Sequence, residues 1–349
     1  MMDLSLLCNN IKTEAVRLGF KHVGIAQASS VSHFQSYLDW IESGCHAEMN
    51  YLSREDAIDK RANPVLLLKD CQRVICLAYP YNPPKTPLHN TPQGKGRISA
   101  YSTMPDYHQI LWEKLAELET FIRYQAGDGV GLKSYTDTGP ILERSFASSA
   151  GLGIAGKNSC LIIPRAGSYF FLAEILTDLP LPIDQPFIAD LCKNCQRCIE
   201  SCPTDCILPN RTIDANRCIS YLTIENKDII PDDLKPKIGD WVFGCDVCQM
   251  VCPHNHPLGD ISAPAETSFL PESLDLASLF SLSEDELNTH FSKTALSRAK
   301  RRGLLRNAAI VLGNQRFREA LGILENAIDI ETDPIILDAC RWAAERIKA

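Results

Sequence analysis

Nine of the 15 cysteines in this chain of 349 residues lie between residues 192 and 252, and their spacing indicates a definite chemistry. They include two runs, Cys192-x2-Cys195-x2-Cys198-x3-Cys202-Pro203 and Cys245-x2-Cys248-x3-Cys252-Pro253. Thiolates at the first spacing bind 4Fe–4S clusters: three hold one cluster, and the fourth, before proline, reaches a second. The second run lacks its opening cysteine, and Cys218 is placed between the runs to replace it.

Eight thiolates then serve two 4Fe–4S clusters in a crossed arrangement. One set is Cys192, Cys195, Cys198 and Cys252, and the other is Cys202, Cys218, Cys245 and Cys248. Zinc is the main alternative, because paired cysteines also make tetrahedral zinc sites. Zinc ribbons use two isolated pairs, however, and not a three-cysteine run that ends in Cys-Pro. The spacing therefore favours clusters and predicts a protein that transfers single electrons.

The other cysteines show no comparable pattern. Cys206 is predicted to be a small buried residue and not a ninth ligand. The remaining six are scattered and predicted to be structural: Cys8, Cys45, Cys71, Cys76, Cys160 and Cys340. No signal peptide is recognised in the first 18 residues, and no apolar run approaches the roughly 20 residues of a membrane span. The sequence thus predicts a cytoplasmic protein without membrane contact, in a compartment that keeps thiols reduced.

Charge is unevenly distributed along the chain. The net charge is −8, yet residues 293–318 contain eight basic residues and no acidic one. They are Lys293, Arg298, Lys300, Arg301, Arg302, Arg306, Arg316 and Arg318. A concentrated basic segment on an acidic protein indicates a polyanion site, whereas many charge runs are only solvated helix faces. From the residues alone, both interpretations stay open.

Residues 1–185 are predicted to form an α/β domain. Apolar residues at helical spacing predict a first helix over residues 4–18, ended by Gly19 and followed by a strand over residues 20–26. Further elements are predicted at residues 73–78 (strand), 106–124 and 141–150 (helices), and 160–164 with 169–175 (a hairpin).

The remainder divides into two regions. Residues 186–258 are predicted to be a cluster module, too rich in loops to fold without its metal. A helix capped by Ser292 or Thr294 and a second helix over residues 319–328 follow. A third helix begins at Asp333-Pro334, and this succession predicts HEAT-like repeats within residues 279–349.

Two further motifs were weighed against ordinary structural roles. Gly151-x-Gly153-x-x-Gly156 matches a nucleotide-binding pattern, but that pattern needs a strand before it and a helix after it, the reverse of the predicted order. The glycines are predicted instead to let the backbone approach a large flat cofactor. Asp137 precedes a helix, where aspartate commonly caps; a catalytic acid there would need surroundings that raise its pKa. His108 is predicted to be structural.

Several segments together resemble the epoxyqueuosine reductase family, over nearly the whole chain and in the family's order. They are Asp106-Tyr107-His108, residues 137–144 (DTGPILER), residues 150–158 (AGLGIAGKN), both cysteine runs and residues 304–308 (LLRNA). This family, related to reductive dehalogenases, uses cobalamin and two 4Fe–4S clusters to remove the epoxide oxygen of epoxyqueuosine in tRNA. The resemblance implies an α+β fold: a nitroreductase-like α/β core, a ferredoxin-like double 4Fe–4S module and a C-terminal HEAT-like domain.

The resemblance also implies roles for individual residues. Asp137 would donate the proton to the departing oxygen. Positions near the corrin would be Arg61, Tyr101, Asp137, Lys157, Asn158 and Ser168. Phosphates of the tRNA anticodon stem-loop would be bound by Arg298, Lys300, Arg301 and Arg306. We further expect a monomer that receives electrons from an unidentified low-potential donor.

Two other functions remain as alternatives. A reductive dehalogenase-like enzyme that acts on a small organic substrate would have no use for the basic C-terminal helices. A ferredoxin-type electron carrier that performs no chemistry would leave about 185 residues before the clusters without a role.

Overall fold

The computed structural model describes residues 3–29, 31–88, 90–256 and 269–349, and it mixes helices and strands throughout. The helices are α1 (Leu4–Arg17), α2 (Phe34–Glu42), α3 (Glu55–Ala62), α4 (Tyr107–Ala126), α5 (Glu143–Ser149), α6 (Arg197–Glu200), α7 (Ile219–Ile224), α8 (Val247–Met250), α9 (Leu276–Phe280), α10 (Glu284–Phe291), α11 (Lys300–Gln315), α12 (Leu321–Ile330) and α13 (Pro334–Lys348). The strands are β1 (His22–Gln27), β2 (Arg73–Pro80), β3 (Lys95–Ile98), β4 (Leu132–Tyr135), β5 (Ile154–Ala155), β6 (Leu161–Ile162), β7 (Phe170–Thr177), β8 (Trp241–Phe243) and β9 (Ser273–Asp275). No helix in the described ranges combines the length and the apolar character needed to cross a bilayer.

The main sheet has four antiparallel strands in the order β1-β2-β7-β4. Its two interior strands are buried at nearly every position, which explains their continuous apolar sequences. Helices α1 and α4 pack on one face, and α5 packs on the other. Glu174, in the middle of β7, is the exception to this apolar pattern and lies between Cys76 and Tyr135 of the neighbouring strands.

The predicted α1, β1, β2 and α4 are confirmed within a few residues, but the predicted hairpin is wrong. β6 pairs with β5, and β7 pairs with β2 and β4. A single bridge between Ile163 and Gly167 joins the two segments. Apolar runs predicted the strands correctly, but the partners of a strand are chosen by tertiary packing.

The glycine motif lies at the β5–β6 hairpin, where its glycines meet other parts of the protein, and the predicted approach to a flat cofactor stays a prediction. A Cβ atom on Gly153 would lie 2.1 Å from the carbonyl oxygen of Ile162. One on Gly156 would lie 2.5 Å from the Cδ1 atom of the same isoleucine. The glycines therefore permit close packing within the hairpin, and the predicted order of helix before strand is confirmed.

A second hydrophobic core joins the C-terminal helices to the cysteine region. Residues of α7 and β8 pack in the same cluster as Leu304, Ala308 and Leu312 of α11. A three-stranded sheet, β8-β3-β9, also draws on three separate segments of the chain. The predicted regions 186–258 and 279–349 therefore share one core, and the end of the first region lies outside the described residues.

The C-terminal helices differ from the prediction in one respect. The helix predicted to begin after Ser292 or Thr294 is interrupted: a short 3₁₀ helix (Ala295–Ala299) precedes α11, and the φ angle of Lys300 is 56°. A residue with a positive φ angle breaks helical continuity. The predicted cap of the last helix is confirmed, because the Asp333 side chain accepts the Ile335 N–H at 2.9 Å.

Candidate functional site

Asp137 lies in the loop between β4 and α5, and its carboxyl is held by two side chains of α4. Tyr107 donates its hydroxyl to Asp137 Oδ2 at 3.0 Å, and His108 Nε2 lies 3.5 Å from the same oxygen. The φ angle of Asp137 is 57°, a left-handed conformation that stores strain and is common at functional sites. The side chain is 54% exposed, so a substrate has access to it.

The neighbours of Asp137 set its protonation in the free protein. The cleft itself raises the pKa of Asp137, but hydrogen bonds from His108 and Tyr107 outweigh this effect and hold the pKa below its ordinary value. Burial lowers the pKa of His108, whereas bonds to Asp137 and Asp106 raise it more. Nδ1 of His108 lies 2.8 Å from Asp106 Oδ1. Before substrate binds, Asp137 is therefore a carboxylate, and its pKa is not raised as a catalytic acid requires.

Two aromatic residues and one arginine lie near the Asp137 carboxyl. Tyr51 is 48% exposed and interacts electrostatically with both Asp137 and Arg298. Tyr101 meets Tyr107 edge-on at 6.1 Å, and the charge of Asp137 also acts on Tyr101. The first arginine of the basic segment is thus close enough to influence the carboxyl, which the sequence did not predict.

Of the residues expected near a corrin, Arg61 lies close to Tyr37 and Tyr51. Its guanidinium is centred 5.5 Å from the ring centroid of Tyr37 and donates to the carbonyl of Ala57 at 3.1 Å. Arg61 is 8% exposed and interacts with Tyr51. Stacking and burial keep this cation at the edge of the cleft.

Lys157 and Asn158 instead connect the β5–β6 hairpin to both cysteine runs. The backbone N–H of Lys157 donates to Cys192 Sγ at 3.4 Å, and its Nζ donates to two carbonyls of the first run at 2.8 and 2.9 Å. Asn158 is 2% exposed, and its Nδ2 donates to the carbonyl of Cys248 at 3.4 Å. Both residues therefore contact the cysteine loops directly.

Ser168 belongs to a buried hydrogen-bond network between the core and the cysteine region. Its backbone N–H donates to Asn255 Oδ1 at 2.8 Å, and its hydroxyl accepts from Gln249 Nε2 at 3.1 Å. Asn255 Nδ2 also donates to this hydroxyl at 3.1 Å. Buried networks that are fully satisfied rigidify a junction, so Ser168 holds the second cysteine run against the sheet.

The cysteines are divided between two groups. Cys192, Cys195, Cys198 and Cys252 line one cleft, together with Lys157, Asn158 and His254. Electrostatic interactions connect the members of the other group, which are Cys202, Cys218, Cys245 and Cys248. Within the described ranges, no three such side chains converge on the position of a single metal ion. A 4Fe–4S cube distributes its thiolates over four iron atoms and needs no such point.

Two further thiols lie beside these groups. Cys206 is 3% exposed, and its Sγ lies 3.4 Å from Cys202 Sγ. Cys160, which the sequence placed among the scattered structural cysteines, lies close enough to Cys248 for the two thiols to interact electrostatically. No spacing rule connects Cys160 with the runs, because it reaches them only through the fold of the hairpin.

The structure contradicts the predicted tRNA contact of Arg306. This residue is 1% exposed, and its guanidinium donates to the carbonyls of Leu222, Asn226 and Asp228 at 2.6, 3.0 and 2.7 Å. Burial lowers the pKa of Arg306 to about 10. Its donors bind the backbone around α7, so it anchors α11 to the cysteine region and is inaccessible to phosphate.

Three arginines of the basic segment are paired with acids from other parts of the chain. Arg298 binds Glu225, and Arg301 Nη2 lies 2.6 Å from Glu331 Oε2. Arg302 is paired in the same way with Asp333 at 2.6 Å. Lys300 is exposed and has no ion pair among the residues that the structure describes. Acids distant in sequence thus reduce the charge excess that the linear pattern indicated.

A mixed α+β fold with two groups of four cysteines and a partly exposed, hydrogen-bonded carboxyl is typical of a redox protein that binds iron–sulfur clusters. Residues 191–255 match the family model of the 4Fe–4S double cluster binding domain, and residues 61–138 match that of epoxyqueuosine reductase QueG. The epoxyqueuosine reductase of Aliivibrio fischeri is 40% identical over 320 residues, which are 90% of this chain and 85% of the relative.

Solved structures agree with this relationship. A Bacillus subtilis epoxyqueuosine reductase, in which the loop of the catalytic aspartate is swung out of the active site, aligns with a TM-score of 0.87 at 30% identity, over 99% of this chain and 91% of that chain. An epoxyqueuosine reductase with an epoxyqueuosine-modified tRNA-Tyr stem loop aligns with a TM-score of 0.84 at 27% identity, over 99% and 100% of the chains. The chain belongs to the epoxyqueuosine reductase family.

Proposed function

We propose that this protein is an oxidoreductase that reduces epoxyqueuosine in the wobble position of tRNA to queuosine. The observation that carries the proposal is the accessible Asp137 carboxyl, held by Tyr107 and His108 in a chain of this family. Removal of an epoxide oxygen requires two electrons and two protons, and the oxygen leaves as water. The cysteine region supplies a route for the electrons, and the Asp137 cleft supplies a place for a proton.

Two 4Fe–4S clusters would be held by the two cysteine groups in the crossed arrangement. The donor set fits them, because each group offers four sulfurs and the Lys157 N–H already donates to Cys192 Sγ. Backbone donors to cluster sulfurs tune the reduction potential. An unidentified low-potential donor would supply the electrons one at a time.

Cobalamin would bind in the Asp137 cleft. The residues fit a large flat group, since Tyr51 leaves an aromatic ring 48% exposed there and Arg61 lies at the edge. When bound, cobalamin would supply a reducible metal centre for opening the C–O bond. Arg61, Tyr101, Lys157, Asn158 and Ser168 remain our proposed contacts, and Lys157 and Asn158 would connect the cofactor side of the hairpin to the clusters.

Asp137 would donate the proton after the cleft closes over its carboxyl. In the free protein, hydrogen bonds from His108 and Tyr107 keep the carboxylate ionised although its surroundings already desolvate it in part. A bound substrate would exclude the remaining water, and desolvation raises the pKa of a carboxyl. His108, whose own pKa is raised by Asp137 and Asp106 against the effect of burial, would be the adjacent proton source.

The finer architecture is proposed on the same family basis. Residues 1–185 would be a nitroreductase-like cobalamin domain, residues 186–258 a ferredoxin-like module and residues 279–349 a HEAT-like domain that contacts tRNA. Arg298, Lys300 and Arg301 would bind the phosphates of the anticodon stem-loop, which is the partner of the solved relative. We further propose a cytoplasmic monomer.

The test is turnover on a tRNA stem-loop that carries epoxyqueuosine. Protein prepared anaerobically, with iron, sulfide and cobalamin, is incubated with the stem-loop and a chemical reductant. We expect mass spectrometry of the nucleosides to show the loss of one oxygen atom. Fully loaded protein that leaves the nucleoside unchanged would contradict the proposal. Absence of any binding to the stem-loop would favour a small organic substrate.

A further inference from the structure

Two carboxyls of unassigned role lie directly behind the Asp137 loop. Glu143 is the first residue of α5, and its Oε1 accepts the backbone N–H of Asp137 at 2.6 Å. Glu174 is 0% exposed in the centre of the sheet, on the face that α5 covers. Neither of its oxygens has a hydrogen-bond partner among the described residues. An ionised carboxylate in that position would be very costly, so Glu174 requires an explanation.

Each carboxyl changes the protonation of the other. Burial raises the pKa of Glu174 well above its ordinary value, and the charge of Glu143 raises it further. Burial and the charge of Asp137 raise the pKa of Glu143 to about 7, while the bond from the Asp137 N–H and the charge of Arg144 lower it. Two neighbouring carboxyls do not both ionise readily. Near neutral pH, the pair therefore retains at least one proton, which resides on Glu174.

We propose that Glu143 is a positioning residue for Asp137, and that a protonated Glu174 donates to Glu143 and holds it in place. Contacts would then lead from the sheet through Glu174 and Glu143 to the backbone N–H of Asp137. The side chain of Asp137 accepts the hydroxyl of Tyr107. Asp137 has a φ angle of 57°, a conformation that persists only when its surroundings enforce it. This inference rests on the proposed role of Asp137 as the proton donor.

Two observations indicate that the loop containing Asp137 needs a contact such as the one with Glu143 to hold its position. A Cβ atom on Gly139 would lie 2.5 Å from the ring of Tyr135, so the loop passes directly over that ring. In the Bacillus subtilis relative, the loop of the catalytic aspartate has been observed swung out of the active site. A carboxylate that accepts a backbone N–H forms one of the stronger hydrogen bonds in proteins. Glu143 would therefore favour the inward position of the loop.

The strength of the hydrogen bond from the Asp137 N–H to Glu143 should depend on pH, because a carboxylate accepts more strongly than a carboxylic acid. Protection of the Asp137 amide is expected to increase as pH rises through about 7, where Glu143 ionises. The charged and titratable groups that act on the pair are Asp137 in the loop, Arg144 on α5, Tyr107 on α4 and Cys76 on β2. Tyr107 and Cys76 have pKa values raised mainly by burial, so they remain neutral through this range.

Hydrogen exchange at the amides of residues 136–142 tests the proposal in the cluster-loaded protein and requires no turnover. We expect Glu143→Ala to accelerate exchange at the Asp137 amide by about tenfold or more, since opening would no longer break a strong bond. Glu143→Gln keeps an oxygen acceptor but cannot ionise, so it should retain part of the protection and lose its increase with pH. Glu117→Gln, on the exposed face of α4, is the matched control and should change nothing.

Variants of Glu174 test whether this residue donates a hydrogen bond to Glu143 or only fills space in the core. Glu174→Gln keeps a hydrogen-bond donor, so the pH at which protection increases should stay near that of the unmodified protein. Glu174→Leu removes the donor, and the increase should move to higher pH because Glu143 loses the bond that favours its ionised form. Identical behaviour of the two variants would overturn the part assigned to Glu174.

The kinetic result distinguishes this inference from the proposed function. Glu143→Ala is expected to lower kcat on the modified stem-loop while KM stays unchanged, because the loop and not the tRNA contact is affected. If exchange at the Asp137 amide is the same in Glu143→Ala and the unmodified protein, the positioning role is wrong. If exchange responds as expected but no preparation reduces epoxyqueuosine, the structural relationship stands and the proposed function is wrong.

Discussion

Tyr107 donates its hydroxyl to Asp137 Oδ2 at 3.0 Å, while its ring stacks on Phe171 at 4.2 Å. The helix α4 and the strand β7 thus determine where the hydroxyl points. Burial, together with the nearby charge of Asp137, raises the pKa of Tyr107 far above its ordinary value. The hydroxyl therefore keeps its proton and acts only as a donor, which orients the carboxylate toward the open cleft.

Asp137→Asn should retain the clusters and lose turnover. The substitution keeps the size of the side chain and an oxygen acceptor but removes the acidic carboxyl proton, so we expect a loss of about 10²–10⁴-fold in kcat. Iron and sulfide content and single-turnover rates on the modified stem-loop are the measurements. Asp128→Asn, an exposed position after α4, is the control. Unchanged turnover would remove Asp137 from the mechanism.

Tyr107→Phe should change the pH dependence of the reaction. Tyr107 stabilises the ionised form of Asp137, so its removal is expected to raise the pKa of that carboxyl. A general acid is active while protonated, and the decline of kcat/KM with rising pH should therefore shift to higher pH. Tyr124→Phe, 84% exposed on the same helix, should leave the profile in place. A shift in the opposite direction would contradict the assignment.

Lys300→Ala should weaken binding of the stem-loop in a salt-dependent manner. This exposed lysine has no ion pair among the described residues, so its charge is available to a phosphate. Loss of one phosphate contact lowers the slope of log K against log salt by about 0.7–0.9. Fluorescence anisotropy with a labelled stem-loop measures this slope. Lys69→Ala, exposed and distant in sequence, serves for comparison, and equal slopes in both variants would argue against a phosphate contact.

Arg306→Ala should affect stability before it affects RNA binding. Three backbone carbonyls around α7 would lose their donor inside the second core, a destabilisation of about 3 kcal/mol for buried groups left unpaired. Thermal unfolding of the cluster-loaded protein, compared with the exposed Arg318→Ala variant, checks this expectation. Normal thermal stability together with weakened tRNA affinity would restore the original prediction of a phosphate contact.

Cys218→Ala should abolish one cluster and preserve the other. Cys218 is the thiol that lies outside both runs, and its removal leaves three ligands in the group that contains Cys202. Iron content is expected to fall by about half, because each 4Fe–4S cluster requires its own four thiolates. Cys45→Ala, outside both groups, should retain full iron. Substitution of Cys218 by Cys206 as a ligand would instead leave the iron content unchanged.

Features determined by neighbouring residues were predictable from the sequence alone. The cysteine runs follow the reach of thiolates around one cluster, and the helix α1 follows the 3.6-residue period. The cap at Asp333 depends on a residue two positions away. Such relationships are encoded within a few residues, so no knowledge of the remaining fold is required to recognise them.

Tertiary structure alone decided which side chains meet. Arg306 looked like part of a basic surface, but its carbonyl partners lie about 80 residues away in sequence. Glu174 interrupts an apolar strand without a visible motif, and only the packing of α5 on the sheet brings Glu143 and the Asp137 loop to it. Burial and long-range pairing depend on the path of the whole chain, whereas spacing along the chain does not.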